Sequence, residues 1–116
     1  MDLLAIQRDE ARDVEVYFPG RWETEGERLI HMALSLVGEV GETANQIKKW
    51  DRGDFDFVEL SGRLREELPD ILIYLVLLAD VLKINLNTEY LNKKEYNDQR
   101  FGKAQSGVRS PDTSST

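Results

Sequence analysis

Apolar positions recur along this chain at steps of three and four, the period of a helix with one apolar face, and strand-like alternation is rare. The pattern predicts four helices. The first covers Leu3 to Tyr17 and is stopped by Phe18-Pro19-Gly20, where proline lacks an amide donor and glycine accepts a turn conformation. The second runs from about Glu25 to Trp50. Its apolar positions Leu29, Ile30, Ala33, Leu34, Val37, Val40, Ala44 and Ile47 trace one face, and the polar stretch from Asp51 to Asp56 breaks it. Asp56 reads as an N-cap with Glu59 as its capping-box partner. It opens a third helix from Phe57 to about Lys83, with Pro69 inside, where one backbone hydrogen bond is lost. Ile84 to Asn87 read as a turn before a fourth helix over about Thr88 to Phe101. The expectation is an all-α fold, a four-helix bundle-type protomer filling one domain, 1–102. The remaining segment, 103–116, is polar and rich in serine and threonine, and is expected to be a disordered tail.

Composition narrows the function classes. The chain has 116 residues, enough for one domain. It has no cysteine, which removes disulfides, thiolate catalysis and cysteine-type zinc sites. A net charge of -7, from 22 acidic and 15 basic residues, argues against a nucleic-acid backbone as partner. The N-terminus carries no evident signal peptide. The longest apolar run, Ile71 to Ala79, is far short of the roughly 20 residues of a membrane span. A soluble, cytoplasmic protein is expected, with neither nucleic acid nor membrane as partner. Because Ile71 to Leu78 is apolar all round, that part of its helix needs cover on every side, and a second subunit would supply it.

Candidate chemistry enters with two acidic pairs. "LVGEVGETANQ" sets Glu39 and Glu42 three apart on a helix, and "EELPDIL" does the same with Glu67 and Asp70. Each pair shares one face. The short connection between the two helices predicts an antiparallel hairpin. Counting back from Gly53 to Glu42 and forward to Glu67 puts the pairs at similar heights, at about 1.5 Å of rise per residue. Four converging carboxylates do not all stay ionised without a cation. An oxygen-only donor set suits Mg²⁺ or Mn²⁺, and Mg²⁺ commonly shares its shell with substrate phosphates. The bland alternative is two solvated helix edges whose acids happen to be spaced by three.

With these motifs in view, "LIHMALSLVGEVGETANQIKKW" and "LREELPDILIYLVLLADVLKINLNTEYLNKKEYNDQRF" resemble the MazG-like all-α nucleoside triphosphate pyrophosphohydrolases, over about Trp22 to Phe101. The resemblance implies hydrolysis of a nucleoside triphosphate, with a deoxynucleotide favoured, to the monophosphate and pyrophosphate. It implies Mg²⁺ held by Glu39, Glu42, Glu67 and Asp70, and triphosphate contacts from Lys93, Asn97 and Arg100. Tyr74 matches a base-stacking position of the related dCTP pyrophosphatases, and Trp22 falls approximately on another. A dimer, or a dimer of dimers, is implied as well. Two positions depart from the family pattern: Gly38 stands where a glutamate often precedes the first motif Glu, and Pro69 where a small residue precedes the motif Asp.

The residues alone leave other readings open. His31, the sole histidine, reads as a core or pocket residue, and its solitude argues against a di-iron bundle, which wants Glu-x-x-His on two helices. Lys48 and Lys49 suit a helix C-terminus, with a phosphate contact as the alternative. Trp22 reads as either core or base-stacking, and so does Tyr74, one turn after Asp70. A non-enzymatic helical dimerisation module explains the apolar run but leaves the paired acids unexplained.

Overall fold

The structure, a computed structural model, describes residues 2–102. Four α-helices follow in order: α1 Leu3–Tyr17, α2 Glu25–Asp51, α3 Phe57–Val81 and α4 Leu86–Asn97, with a π-helical turn, Asp98–Gly102, continuing the last. There is no strand among the described residues, so the fold is all-α. The expected tail, 103–116, lies outside the described residues. None of the described helices is by itself long and apolar enough to cross a membrane.

Local chemistry sets each helix end. Asp2, Thr24, Asp56 and Asn85 are N-caps whose side chains accept from the backbone amides of Leu4, Glu27, Glu59 and Thr88. The box expected at Asp56 is only half made. The Glu59 amide donates to Asp56 Oδ1 at 2.8 Å, but the Glu59 carboxylate turns along the helix to accept from Arg63 Nε at 3.1 Å. At the head of α2, Glu27 donates its amide to Thr24 Oγ1 and accepts from the amide of Glu23, a staple written in the sequence as Thr-Glu-Gly-Glu.

The helix stops are equally specific. Past α2, the amides of Gly53 and Asp54 return to the carbonyls of Trp50 and Lys49, with Gly53 at φ +90°. This is the Schellman arrangement, in which a left-handed residue satisfies the last carbonyls. Past α3 the same bonds run from Lys83 to Asp80 and from Ile84 to Ala79, but Lys83, at φ +59°, occupies the position that glycine usually takes. The helix therefore ends at Val81 rather than near Lys83. The following turn is also shorter than expected, because Asn85 caps α4 and starts it at Leu86.

α3 is the central element. It packs on α2 as a hairpin and on α1, while α4 packs on α1. Buried Gln7 ties the α3–α4 connection to α1: its Nε2 donates to the carbonyl of Ile84 at 2.8 Å, and its Oε1 accepts from the amide of Leu86 at 3.3 Å. The core is small, with Met32, Leu77 and Val81 buried together and Trp22, Ile73 and Tyr74 packed against them.

The apolar face of α2 does not do what its pattern suggests. Ile30, Leu34 and Val37 are 61%, 68% and 67% exposed, and Val40 and Ile47 are exposed as well. At 100° per residue these positions lie on the side away from Met32 and Glu39, and it is the latter side that is turned inward. Leu68, Leu72 and Leu75 form a second exposed stripe on α3. The two surfaces meet where Ile47 and Leu68 line one apolar hollow with Trp50, Phe57, Leu60 and Leu64. A single chain thus does not close the expected bundle. Its radius of gyration, 18.0 Å, exceeds the roughly 13 Å of a compact domain this long.

Candidate functional site

The α2–α3 hairpin brings three of the four motif acids together. Glu39, Glu67 and Asp70 each offer a carboxylate oxygen, and these oxygens lie within 4.8 Å of one another. Glu39 lies on the inward face of α2 with Met32, while Glu67 and Asp70 are neighbours across one turn of α3. Glu42, one turn on and about 60° round the helix, is exposed and falls outside the group of three.

Glu67 is at the centre of the cluster. Its Oε2 is buried and has no hydrogen-bond partner. A proton shared with Glu39 holds its pKa above the usual carboxylate range; burial and the negative charge of Glu39 add to this, and Asp70 contributes less. Hydrogen bonding to Glu42 pulls the other way. A desolvated oxygen without a donor, facing two further carboxylates, fits a hard divalent cation better than it fits solvent or a cationic side chain. The donor set contains oxygen alone, which suits Mg²⁺ and Mn²⁺.

Asp70 also borders a cavity of about 270 Å³ between α1, α2 and α3. Trp22 and Tyr74, singled out in the sequence as base-stacking candidates, both line it. They also pack on the core, so stacking and packing are compatible roles. His31 lines the same cavity, its ring 5.1 Å from that of Trp22 and tilted by 50°. Burial, helped by the charge of Arg21, lowers the His31 pKa and keeps the ring neutral at pH 7. Two guanidinium groups flank Trp22, Arg21 at 5.3 Å and Arg28 at 5.7 Å from its ring. Arg28 is held in turn by Glu15 at 3.1 Å.

Lys93, Asn97 and Arg100 stand apart. None of the three lines this cavity. Lys93 and Arg100 lie against the ring of Tyr96 instead, at 4.9 and 5.9 Å. Arg100 falls in the π-helical turn, whose wider winding shifts its direction relative to Lys93 and Asn97. Sequence reasoning also passed over the α1 wall of the cavity, made by Glu10, Asp13, Val14 and Tyr17. The signal was present as i, i+3, i+4, i+7 spacing, but two of the four positions are acids and read as solvated.

A helical hairpin that gathers carboxylates beside an aromatic cavity defines an all-α domain suited to a cation and a ring-bearing ligand. Residues 28–95 match the MazG nucleotide pyrophosphohydrolase domain, and the chain belongs to that family. It is 39% identical over 75 residues to human dCTP pyrophosphatase 1, covering 61% of this chain and 44% of that protein. The bovine dCTP pyrophosphatase 1 is 37% identical over 76 residues, with the same coverage. Gene 37 protein of Mycobacterium phage L5 is 36% identical over 81 residues, covering 67% of this chain and 70% of that one. The chain thus spans less than half the length of the dCTP pyrophosphatases it matches. No solved structure gives a significant match.

Proposed function

We propose that this chain hydrolyses a nucleoside triphosphate, a deoxynucleotide by preference, to the monophosphate and pyrophosphate in a divalent-cation-dependent reaction. The observation that carries the reading is one juxtaposition: Glu39, Glu67 and Asp70 converge, and Asp70 also borders the cavity of Trp22 and Tyr74. Phosphates at the acids and a base among the rings would span the two. The dCTP pyrophosphatase relatives point to the same substrate class.

Glu39, Glu67 and Asp70 would hold Mg²⁺ or Mn²⁺, with Glu42 joining by a change of rotamer. A cation held there would supply Lewis-acid neutralisation of the charge that develops on the phosphates. A carboxylate of the set that is free of the cation orients or deprotonates the attacking water. The water oxygen bonds to the α-phosphorus, the bridging bond to the β-phosphate oxygen breaks, and pyrophosphate leaves. Lys93 and Arg100 would neutralise phosphate oxygens and Asn97 would clamp them. Because the trio does not line the cavity of its own chain, a movement of α4 or a second copy would bring it to the phosphates.

Self-association into a dimer or a dimer of dimers belongs to the same proposal, supported by the uncovered apolar stripes of α2 and α3. So does a cytoplasmic location, where nucleotides and Mg²⁺ meet. Assaying a panel of triphosphates with Mg²⁺ and scoring pyrophosphate against orthophosphate tests the reaction. Orthophosphate as the sole product from every substrate would reject it. Those exposed stripes also favour a second reading, a non-enzymatic dimerisation module. Calorimetric titration separates the two, since a module should ignore Mg²⁺.

A further inference from the structure

On the α2–α3 hairpin, the hydroxyl of Thr43 and Oε2 of Glu67 are both buried without a hydrogen-bond partner. Thr43 follows Glu39 by one turn of α2. At 100° per residue it lies about 40° round the helix from Glu39 and about 20° from buried Met32, on the inward face. A helical threonine often satisfies its hydroxyl on the carbonyl one turn back, but this one makes no such bond to Glu39. A bond across the hairpin gives the register: Arg63 Nη1 donates to Gln46 Oε1 at 3.1 Å. The helices run antiparallel, so stepping back from Gln46 to Thr43 matches stepping forward from Arg63 to Glu66, next to Glu67. Thr43 and Glu67 therefore stand level, on helices that pack together.

A donor without an acceptor is thus level with an acceptor without a donor. Each is costly while buried and unpaired, and a change of rotamer at either residue would join them. We propose that the Thr43 hydroxyl donates to the Glu67 carboxylate and fixes its direction for the divalent cation; this rests on the cation-dependent reading above. Thr43 is then a positioning residue, acting on the cation only through Glu67. A carboxylate offers about four lone-pair sites, so accepting from Thr43 leaves room for the cation. The bond is charge-assisted, and so strongest when Glu67 is ionised, the state in which it holds a cation.

The test titrates Mn²⁺ into the metal-free full chain and follows loss of the free-ion paramagnetic resonance signal. Thr43→Val keeps the volume and loses the hydroxyl, Thr43→Ala loses both, and Thr43→Ser keeps the hydroxyl. Thr43→Val and Thr43→Ala should bind Mn²⁺ about 10–100-fold more weakly than wild type, the range for groups that support a metal ligand. Thr43→Ser should stay within a few-fold of wild type. A packing role predicts another order, with Thr43→Val matching wild type and Thr43→Ser falling with Thr43→Ala. That order, or one Mn²⁺ affinity for every variant, would overturn the assignment. Should Thr43→Val misfold, Thr43→Ala against Thr43→Ser carries the same comparison. The expected order supports the inference even if no triphosphate is hydrolysed, an outcome that sinks the enzymatic reading alone. A wild type that binds no Mn²⁺ overturns the inference and the cation-dependent reading together.

Discussion

The acidic hairpin and the end of α4 carry sequence motifs of similar quality, yet they stand differently in space. Glu39, Glu67 and Asp70 meet inside one chain because a short loop joins their helices and fixes their relative height. Lys93, Asn97 and Arg100 follow a further connection that Gln7 pins against α1, and they do not line the cavity. A motif confined to one hairpin is assembled by local geometry. A motif split across helices depends on what covers the apolar surfaces between them, and in this chain those of α2 and α3 are exposed.

The largest effect should come from the hairpin. Glu67→Gln keeps size and fold but removes the central charge. Turnover should fall by more than the about 10²–10³-fold that losing one neutral transition-state donor costs, with helical circular dichroism retained. Wild-type turnover would show the cluster to be a surface accident. Truncation at Leu91 tests the other side of the comparison: it removes the trio, should abolish turnover, and should leave Mg²⁺ affinity of the free protein unchanged. An unaltered kcat/KM after that truncation would dismiss Lys93, Asn97 and Arg100 while sparing the acids.

The cover itself can be tested next. Leu34→Glu places a charge in the exposed stripe of α2. Sedimentation should show smaller particles than wild type, and turnover should drop with them if the trio acts across subunits. A particle size unchanged by this variant would locate the partner surface elsewhere.

A finer probe uses pH. The folded-state pKa of Glu67 is raised from 4.5, chiefly by the proton shared with Glu39, so between 4.5 and the raised value the folded chain binds more protons than the unfolded one. That contribution to stability is complete below the unfolded pKa and is lost as pH rises through the folded one. Without metal, Glu67→Gln should therefore melt above wild type at pH 7, and the gap should narrow towards pH 4.5. Adding Mg²⁺ at pH 7 should reverse the order. The smallest change concerns the tether of α4: Lys83→Gly, which relieves a left-handed backbone, should raise stability by up to about 1 kcal/mol in urea titrations. A loss of stability there would mean that the lysine side chain outweighs the backbone cost.

How much of this the sequence disclosed follows from the same physics. Helix existence was legible because three- and four-residue periodicity is local, and so was the meeting of Glu39 with Glu67 and Asp70, which needs only rise per residue and a short loop. Helix phase was harder. Periodicity shows that Ile30, Leu34 and Val37 share a face but not which neighbour meets it, and the inward face of α2 proved to be the one carrying Met32 and Glu39. Counting height alone brings Glu42 to the cluster, and Glu67 does hydrogen-bond to it, although it stands about 60° round α2 from Glu39 and outside the group of three. Lys83 was placed inside α3 because no glycine announced the stop. Glu10 and Asp13 were missed because, amid Arg8, Asp9 and Arg12, two more acids look like solvated surface.

The placement of Trp22 gives the cavity an optical probe of its own. Its indole lies between Arg21 and Arg28 and beside His31, where a stacked ring or a shifted guanidinium alters its emission. The other tryptophan, Trp50, sits edge-on to Phe57 in the hollow at the loop end of the hairpin, away from the cavity lining. With Trp50→Phe removing that background, stopped-flow fluorescence would time ligand entry to the cavity directly, apart from turnover.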